Sequence, residues 1–211
     1  MCIRDSLSIH GAVILFGLVL LTPFGSSVAS ILHGRYPSTT TKRGQLLAGM
    51  VFVCFGGFTV SAHTLWMHNK LSEGASVCSG SSILNCDGLI GNVAYNTDPL
   101  FGQPWGLIGM VAFTALMWLV ITIAKEPMSP QTQLFIKGGL GATIAGLPVI
   151  MLLVSYEIKE GLICPFCTTA HIANLIALVG FFLLFKLYES DEWAPDTVSY
   201  THLTLPTKRI V

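Results

Sequence analysis

Charge is what this sequence has least of. Of its 211 residues only 11 are Lys or Arg and 11 are Asp or Glu, a tenth of the chain where soluble domains carry about a quarter. The two signs cancel, which removes the basic footprint that nucleic-acid binding relies on. The few charges sit in short runs between long apolar stretches, and no gap between those stretches is long enough for a soluble domain. Repeats of solenoid type are also lacking. A sequence that is 52% hydrophobic and so poor in charge reads as an integral membrane protein.

Both ends stand apart from the rest. The opening MCIRDS and the closing VSYTHLTLPTKRIV resemble translated adapter sequence, and such scars are excluded from fold reasoning. Residues 7–197 are therefore the expected protein, and Cys2, His202, Lys208 and Arg209 are set aside. The expected organisation is an artefact at 1–6, an N-terminal hydrophobic segment and cytoplasmic loop at 7–43, a four-helix domain at 44–188, and a tail at 189–211 that is mostly artefact.

A bilayer core takes about 20 apolar residues as a helix. Four stretches meet that length, near 45–67, 105–124, 133–155 and 165–187, and a shorter fifth near 8–24 ends at Pro23. The expected fold is an all-α integral membrane bundle of four transmembrane helices, with an extra N-terminal hydrophobic helix and an extracytoplasmic cysteine loop. Gly138, Gly139, Gly141 and Gly146 suit close helix approach in lipid. Arg35, Lys42, Arg43, Lys125, Lys137 and Lys186 fall at one set of span ends, and only Lys70 and Lys159 at the other. By the positive-inside rule the loops around 68–104 and 156–164 lie outside the cytoplasm.

Those two loops hold four cysteines, on the side where exchangeable thiols belong. Cys164-Pro165-Phe166-Cys167 opens the last span, with Pro165 suited to a first helical turn. The i, i+3 spacing sets both sulfurs near the positive end of the helix dipole, which favours thiolate. Cys78 and Cys86 flank the polar segment CSGSSILNC, whose length allows an internal disulfide or a swinging shuttle. A mobile pair and a fixed pair in series suggest a relay from a water-soluble partner to something in the bilayer. Structural staples, a four-cysteine zinc site and chance placement compete with that reading. A zinc knuckle belongs in a compact aqueous fold rather than against a membrane span.

The residues from about 45 to 187 resemble the vitamin K epoxide reductase family, including its bacterial disulfide-forming members. A first span, a loop pair with seven residues between its cysteines, the segment LFGQPWGLIG, two more spans and CPFC opening the last all match. The DsbB-type oxidases place their C-x-x-C before the loop pair, the reverse of the order here. The resemblance implies that Cys78 exchanges with the thiols of a thioredoxin-fold partner, separate or fused. It implies further that Cys86 exchanges with Cys164, and that Cys167 meets a quinone, ubiquinone or menaquinone, carried by the lipid. The bacterial cytoplasmic membrane is the expected location.

His171, one turn beyond Cys167, stands where relatives place a polar group that bonds the quinone, and Asn174 follows one turn later. Trp105 suits an interfacial anchor and, within GQPWG, a wall of the quinone pocket. Gly91 and Asn92 replace the Ser-Ser or Ser-Thr pair common in the family, with Asn92 able to supply a hydrogen bond. Asp87 is expected to cap the short helix after Cys86 and to oppose its thiolate. Cys54 reads as an inert core thiol, His63 and His68 as interfacial residues, and Phe166 as packing. Two further functions use or ignore the same cysteines: a thiol-driven quinone or quinone-epoxide reductase, and a membrane scaffold stapled by disulfides.

Overall fold

The computed structural model describes residues 2–34, 37–77 and 83–193, and Cys78 therefore lies outside the described residues. Eight α-helices occur among them: α1 (Cys2–Leu21), α2 (Gly25–His33), α3 (Lys42–Ser72), α4 (Cys86–Ile90), α5 (Val93–Asn96), α6 (Trp105–Lys125), α7 (Thr132–Glu160) and α8 (Pro165–Tyr188). Four of them, α3, α6, α7 and α8, are each long and apolar enough to cross a membrane alone. At 1.5 Å per residue, the 31 residues of α3 extend about 46 Å, beyond a hydrocarbon core of about 30 Å. Its last turns can therefore carry Lys70 and His68 out to the cysteine loop.

Helix α3 is the axis of the bundle and packs on α1, α6 and α8, while α7 closes against α6 and α8. Small residues set the distances. A Cβ on Gly106 would meet the backbone nitrogen of Leu65 at 2.6 Å, so α6 crosses α3 at backbone contact near the cysteine end. Gly139 lies under the Phe181 ring and Gly146 against the Asn174 amide, whereas Gly138 and Gly141 face open space. Of the four glycines expected to allow close approach, two do so. The outward face of α7 shows Leu134, Ile144 and Met151, each at least half exposed; such an apolar face is stable against lipid tails rather than water.

Helix α1 starts at Cys2, so helical backbone runs through the opening residues. It lies antiparallel to α3: His10 Nδ1 is 3.0 Å from Thr59 Oγ1, and Gln45 Nε2 donates to the carbonyls of Leu20 and Thr22. After Pro23 the chain bends by 105° into α2. The shorter fifth stretch is thus a helix along the bundle followed by a crosswise turn, and it is long and apolar enough to span a membrane only together with α2.

Basic residues gather at the end remote from the cysteines. Lys42 pairs with Glu192 at 3.1 Å, and Arg43 donates to the Trp193 carbonyl. The Trp193 indole donates to the Pro127 carbonyl at 3.0 Å. These contacts tie the start of α3, the α6–α7 turn and the end of α8 together.

Candidate functional site

The cysteine end is assembled by two short pairings. Gly161, in the left-handed region at φ 65°, ends α7 and turns the chain back, a position open to glycine because it lacks a Cβ. The next residues pair with the cysteine loop in a parallel bridge of Leu84 with Ile163. Ile163 N–H donates to the Ile83 carbonyl at 2.8 Å, and Asn85 N–H to the Ile163 carbonyl at 3.2 Å. That register sets Cys86, the first residue of α4, opposite Cys164, the N-cap of α8. Pro165 occupies the first turn of α8 as the sequence predicts.

The Cys86 and Cys164 sulfurs lie 2.8 Å apart, nearer a covalent S–S distance of about 2.05 Å than an ordinary non-bonded contact. Both thiols are free and fully buried, in an apolar cluster with Val60, Met67, Leu89, Ile90 and Phe166. Cys167 follows in the first turn of α8. Three cysteines thus form a chain from the loop, through the helix start, to the first turn of α8.

Protonation departs from the expectation at Cys164 and follows it at Cys86. Burial pushes the Cys164 thiol well above the ordinary thiol value, and Cys167 adds to that. The Cys164 contact and then burial raise Cys86, with Asp87 adding a smaller repulsion and the Phe166 backbone N–H acting in the opposite direction. A helix dipole contributes about 0.3–1 kcal/mol, up to about 2 in partly buried sites, while burying a charge costs several. Burial therefore outweighs the dipole at Cys164, and the pair is held as neutral thiols. Iodoacetamide at neutral pH is expected to label Cys167 of the reduced protein while sparing Cys86 and Cys164. Peptide mapping checks this; labelling at equal rates rules out a buried, neutral pair.

Cys167 is only partly buried and faces two neighbouring cavities. The larger, of about 160 Å³, lies between α3, α6, α7 and α8. Its walls include Phe113, Leu116, Val149 and Ile150, and its polar groups are Ser61, Thr64, Asn96, Trp105, His171 and Asn174. The smaller, of about 40 Å³, shares Asn96, Trp105 and Cys167 with it and adds Tyr95, Tyr156 and Glu157. A cavity smaller than the usual 300–1,000 Å³ ligand site suits one flat ring system better than a whole lipid. Apolar walls with a few polar groups beside a thiol fit a quinone ring.

The residues expected around a quinone are brought together here. No described residue hydrogen-bonds the His171 imidazole, which lines the cavity and is open to a ligand there. Trp105 donates its indole N–H to the Tyr95 carbonyl at 3.1 Å, which fixes the ring as a wall of both cavities. Asn174 spends its amide N–H on the Thr143 carbonyl at 3.2 Å, tying α8 to α7 while its side chain still lines the cavity.

Among the other expectations, those for Asp87 and His63 are revised, while Asn92 and Cys54 sit as expected. Asn85, not Asp87, caps α4, accepting from Gly88 N–H. Asp87 instead accepts from Ser76 Oγ at 2.9 Å and Val77 N–H at 3.1 Å, tying down the loop. Asn92 caps α5, accepting from Ala94 N–H. The His63 ring stacks on Phe166 at 4.6 Å and 6°, with His10 edge-on to it, so His63 supports the C-x-x-C segment from behind. His68 accepts from the Asn96 amide at 2.8 Å. Cys54 is fully buried in the apolar core. Sequence reasoning overlooked Ser61, Thr64, Asn96, His10 and Glu157; an acidic residue in the last turn of a span was the available signal for Glu157.

Membrane-crossing helices with a buried cysteine cluster at one end define a multi-pass membrane protein built for thiol chemistry. The chain belongs to the vitamin K epoxide reductase family, whose model matches residues 48–182, more than half of the sequence and all four loop cysteines. No curated protein and no solved structure matches it. As a family member it is an oxidoreductase of the membrane thiol–disulfide and quinone reductase class.

Proposed function

We propose that this protein oxidises the dithiol of a thioredoxin-fold partner and passes the two electrons to a lipid-borne quinone, ubiquinone or menaquinone. The carrying observation is the 2.8 Å contact of Cys86 with Cys164, with Cys167 beyond it on a polar-edged cavity inside the helices. In this reading a partner thiolate attacks Cys78 of a Cys78–Cys86 disulfide, Cys86 leaves as a thiolate, and the partner's second thiol closes the partner's disulfide and releases Cys78. Cys86 then attacks Cys164 of a Cys164–Cys167 disulfide, forming Cys86–Cys164 and releasing Cys167. Cys78 attacks Cys86, the loop disulfide returns, and Cys164 is released. A bound quinone supplies the final acceptor of two electrons and two protons, which restores Cys164–Cys167.

His171, Asn174 and Trp105 would hold the ring: His171 with its unengaged imidazole, Trp105 as a fixed flat wall, and Asn174 at the inner edge. The scarcity of basic residues at the cysteine end supports placing that end outside the cytoplasm of a bacterial inner membrane. There a thioredoxin-fold partner would find an oxidising compartment.

The test is electron transfer from a reduced thioredoxin-fold protein to ubiquinone or menaquinone with purified protein in detergent. Quinone reduction coupled to partner oxidation supports the reading. Folded protein that reduces neither quinone moves it to a disulfide-stapled scaffold, and net partner reduction by quinol moves it to the reductive sense.

A further inference from the structure

Thiol–disulfide exchange runs through thiolates, yet the surroundings of Cys164 hold it neutral. Each exchange at this buried pair therefore needs somewhere to put a proton. Glu157, in the last turn of α7, is placed for it. Its Oε1 accepts the backbone N–H of Cys164 at 3.2 Å, and it shares the wall of the 40 Å³ cavity with Cys167. A cavity of that size, with Asn96, Tyr95, Tyr156 and Glu157 on its wall, has room for a bridging water. Glu157 is half-buried, and among the described residues no Lys or Arg forms an ion pair with it. Lys159 lies instead over the Tyr95 ring, 5.5 Å from its centre. The other ionisable groups around this end are His68 from α3, Cys86 and Asp87 from α4, Tyr95 from α5, Tyr156 and Glu160 from α7, and Cys164, Cys167 and His171 from α8.

We propose that Glu157 is the acid–base partner of Cys167, an inference that rests on the relay described above. A thiolate that opens the Cys78–Cys86 disulfide at Cys78 releases Cys86 as a thiolate; when that thiolate attacks Cys164, the Cys86–Cys164 bond forms, the Cys164–Cys167 bond breaks, and Cys167 leaves as a thiolate. The Glu157 carboxylic acid gives its proton to that thiolate across the shared cavity. One disulfide is lost and one gained, no electrons enter or leave, and the negative charge passes from Cys86 to the Glu157 carboxylate. In the reverse step the carboxylate takes the proton of the Cys167 thiol, so the residue serves either direction of flow.

Capping the α7–α8 turn is the competing role, and Glu157→Gln separates the two. Glutamine keeps an acceptor for the Cys164 N–H but carries no proton. The full chain, starting with Cys164–Cys167 oxidised, is mixed with a small dithiol and acid-quenched, and formation of Cys86–Cys164 is followed by peptide mapping. With the pH varied from about 5 to 9, the Gln variant is expected to slow interchange on the order of tenfold or more and to flatten its pH profile, in keeping with general acid–base effects. Glu157→Asp, which retains a titratable group, is expected to recover part of both. Wild-type rate and profile in the Gln variant, or an Asp variant no better than Gln, overturns the inference while leaving the relay intact. Failure of wild-type protein to form Cys86–Cys164 at all overturns the relay, and this step with it.

Discussion

Cys167→Ala is expected to reduce quinone at a rate lower by on the order of 10³ or more, the scale on which loss of a reacting nucleophile acts. The same variant should accumulate the Cys86–Cys164 disulfide. Cys86 is already 2.8 Å from Cys164 in a buried apolar cluster, so Cys164 can attack Cys86 of a Cys78–Cys86 disulfide, forming Cys86–Cys164 and releasing Cys78 without Cys167. With Cys167 gone, no thiol on the cavity side remains to take Cys164 back. Non-reducing peptide mapping beside a quinone-reduction assay reads both effects. Quinone reduction at the wild-type rate by the variant would remove Cys167 from the quinone end and leave Cys164 as the only candidate there. The serine form of Cys86 gives the opposite phenotype, an isolated Cys164–Cys167 pair that no partner dithiol can reach through the relay.

Gly146→Leu is the second large effect, and it separates quinone binding from thiol exchange. Gly146 lines the 160 Å³ cavity between α7 and α8. A Cβ there already meets the Asn174 amide at 2.9 Å, and three more carbons would extend from it. A side chain placed there competes directly with a ring in the same space. The expected result is a KM for quinone raised by about tenfold or more, the scale of a few kcal/mol that overpacking costs. Interchange between Cys86 and Cys164, which takes place on the far side of Cys167, should keep its wild-type rate. Unchanged quinone kinetics in folded Gly146→Leu protein would place the quinone outside this cavity.

Much of this was legible in the chain because membranes simplify the reading. Apolar length alone marks a span, since every backbone group in lipid must be satisfied within a helix, and the four long helices fall where the four long apolar stretches lie. C-x-x-C with Pro at its second position also reads directly as a helix start. The fifth stretch was harder, because its end depends on Pro23 and on what Gln45 does with the carbonyls of Leu20 and Thr22. Asp87 was misread for a related reason. A carboxylate just inside a helix start is a plausible cap by spacing, but Asn85 stands one residue before the helix and takes that role, leaving Asp87 to Ser76 and Val77.

By itself the sequence determined the class of the molecule: spans, cysteine pairs, their order along the chain, and the family they belong to. These are local or one-dimensional properties, written in hydropathy and spacing. The resemblance already paired Cys86 with Cys164, but only the tertiary structure decided how two sulfurs so far apart in sequence meet, through a two-bond bridge at Ile163 that no periodicity announces. It also decided their protonation, since burial depends on what Met67, Leu89 and Phe166 close over. The placement of Glu157 beside Cys164 and Cys167 belongs to the same category: a single left-handed glycine at 161 folds the end of α7 back onto the start of α8 and brings the carboxylate to the thiols.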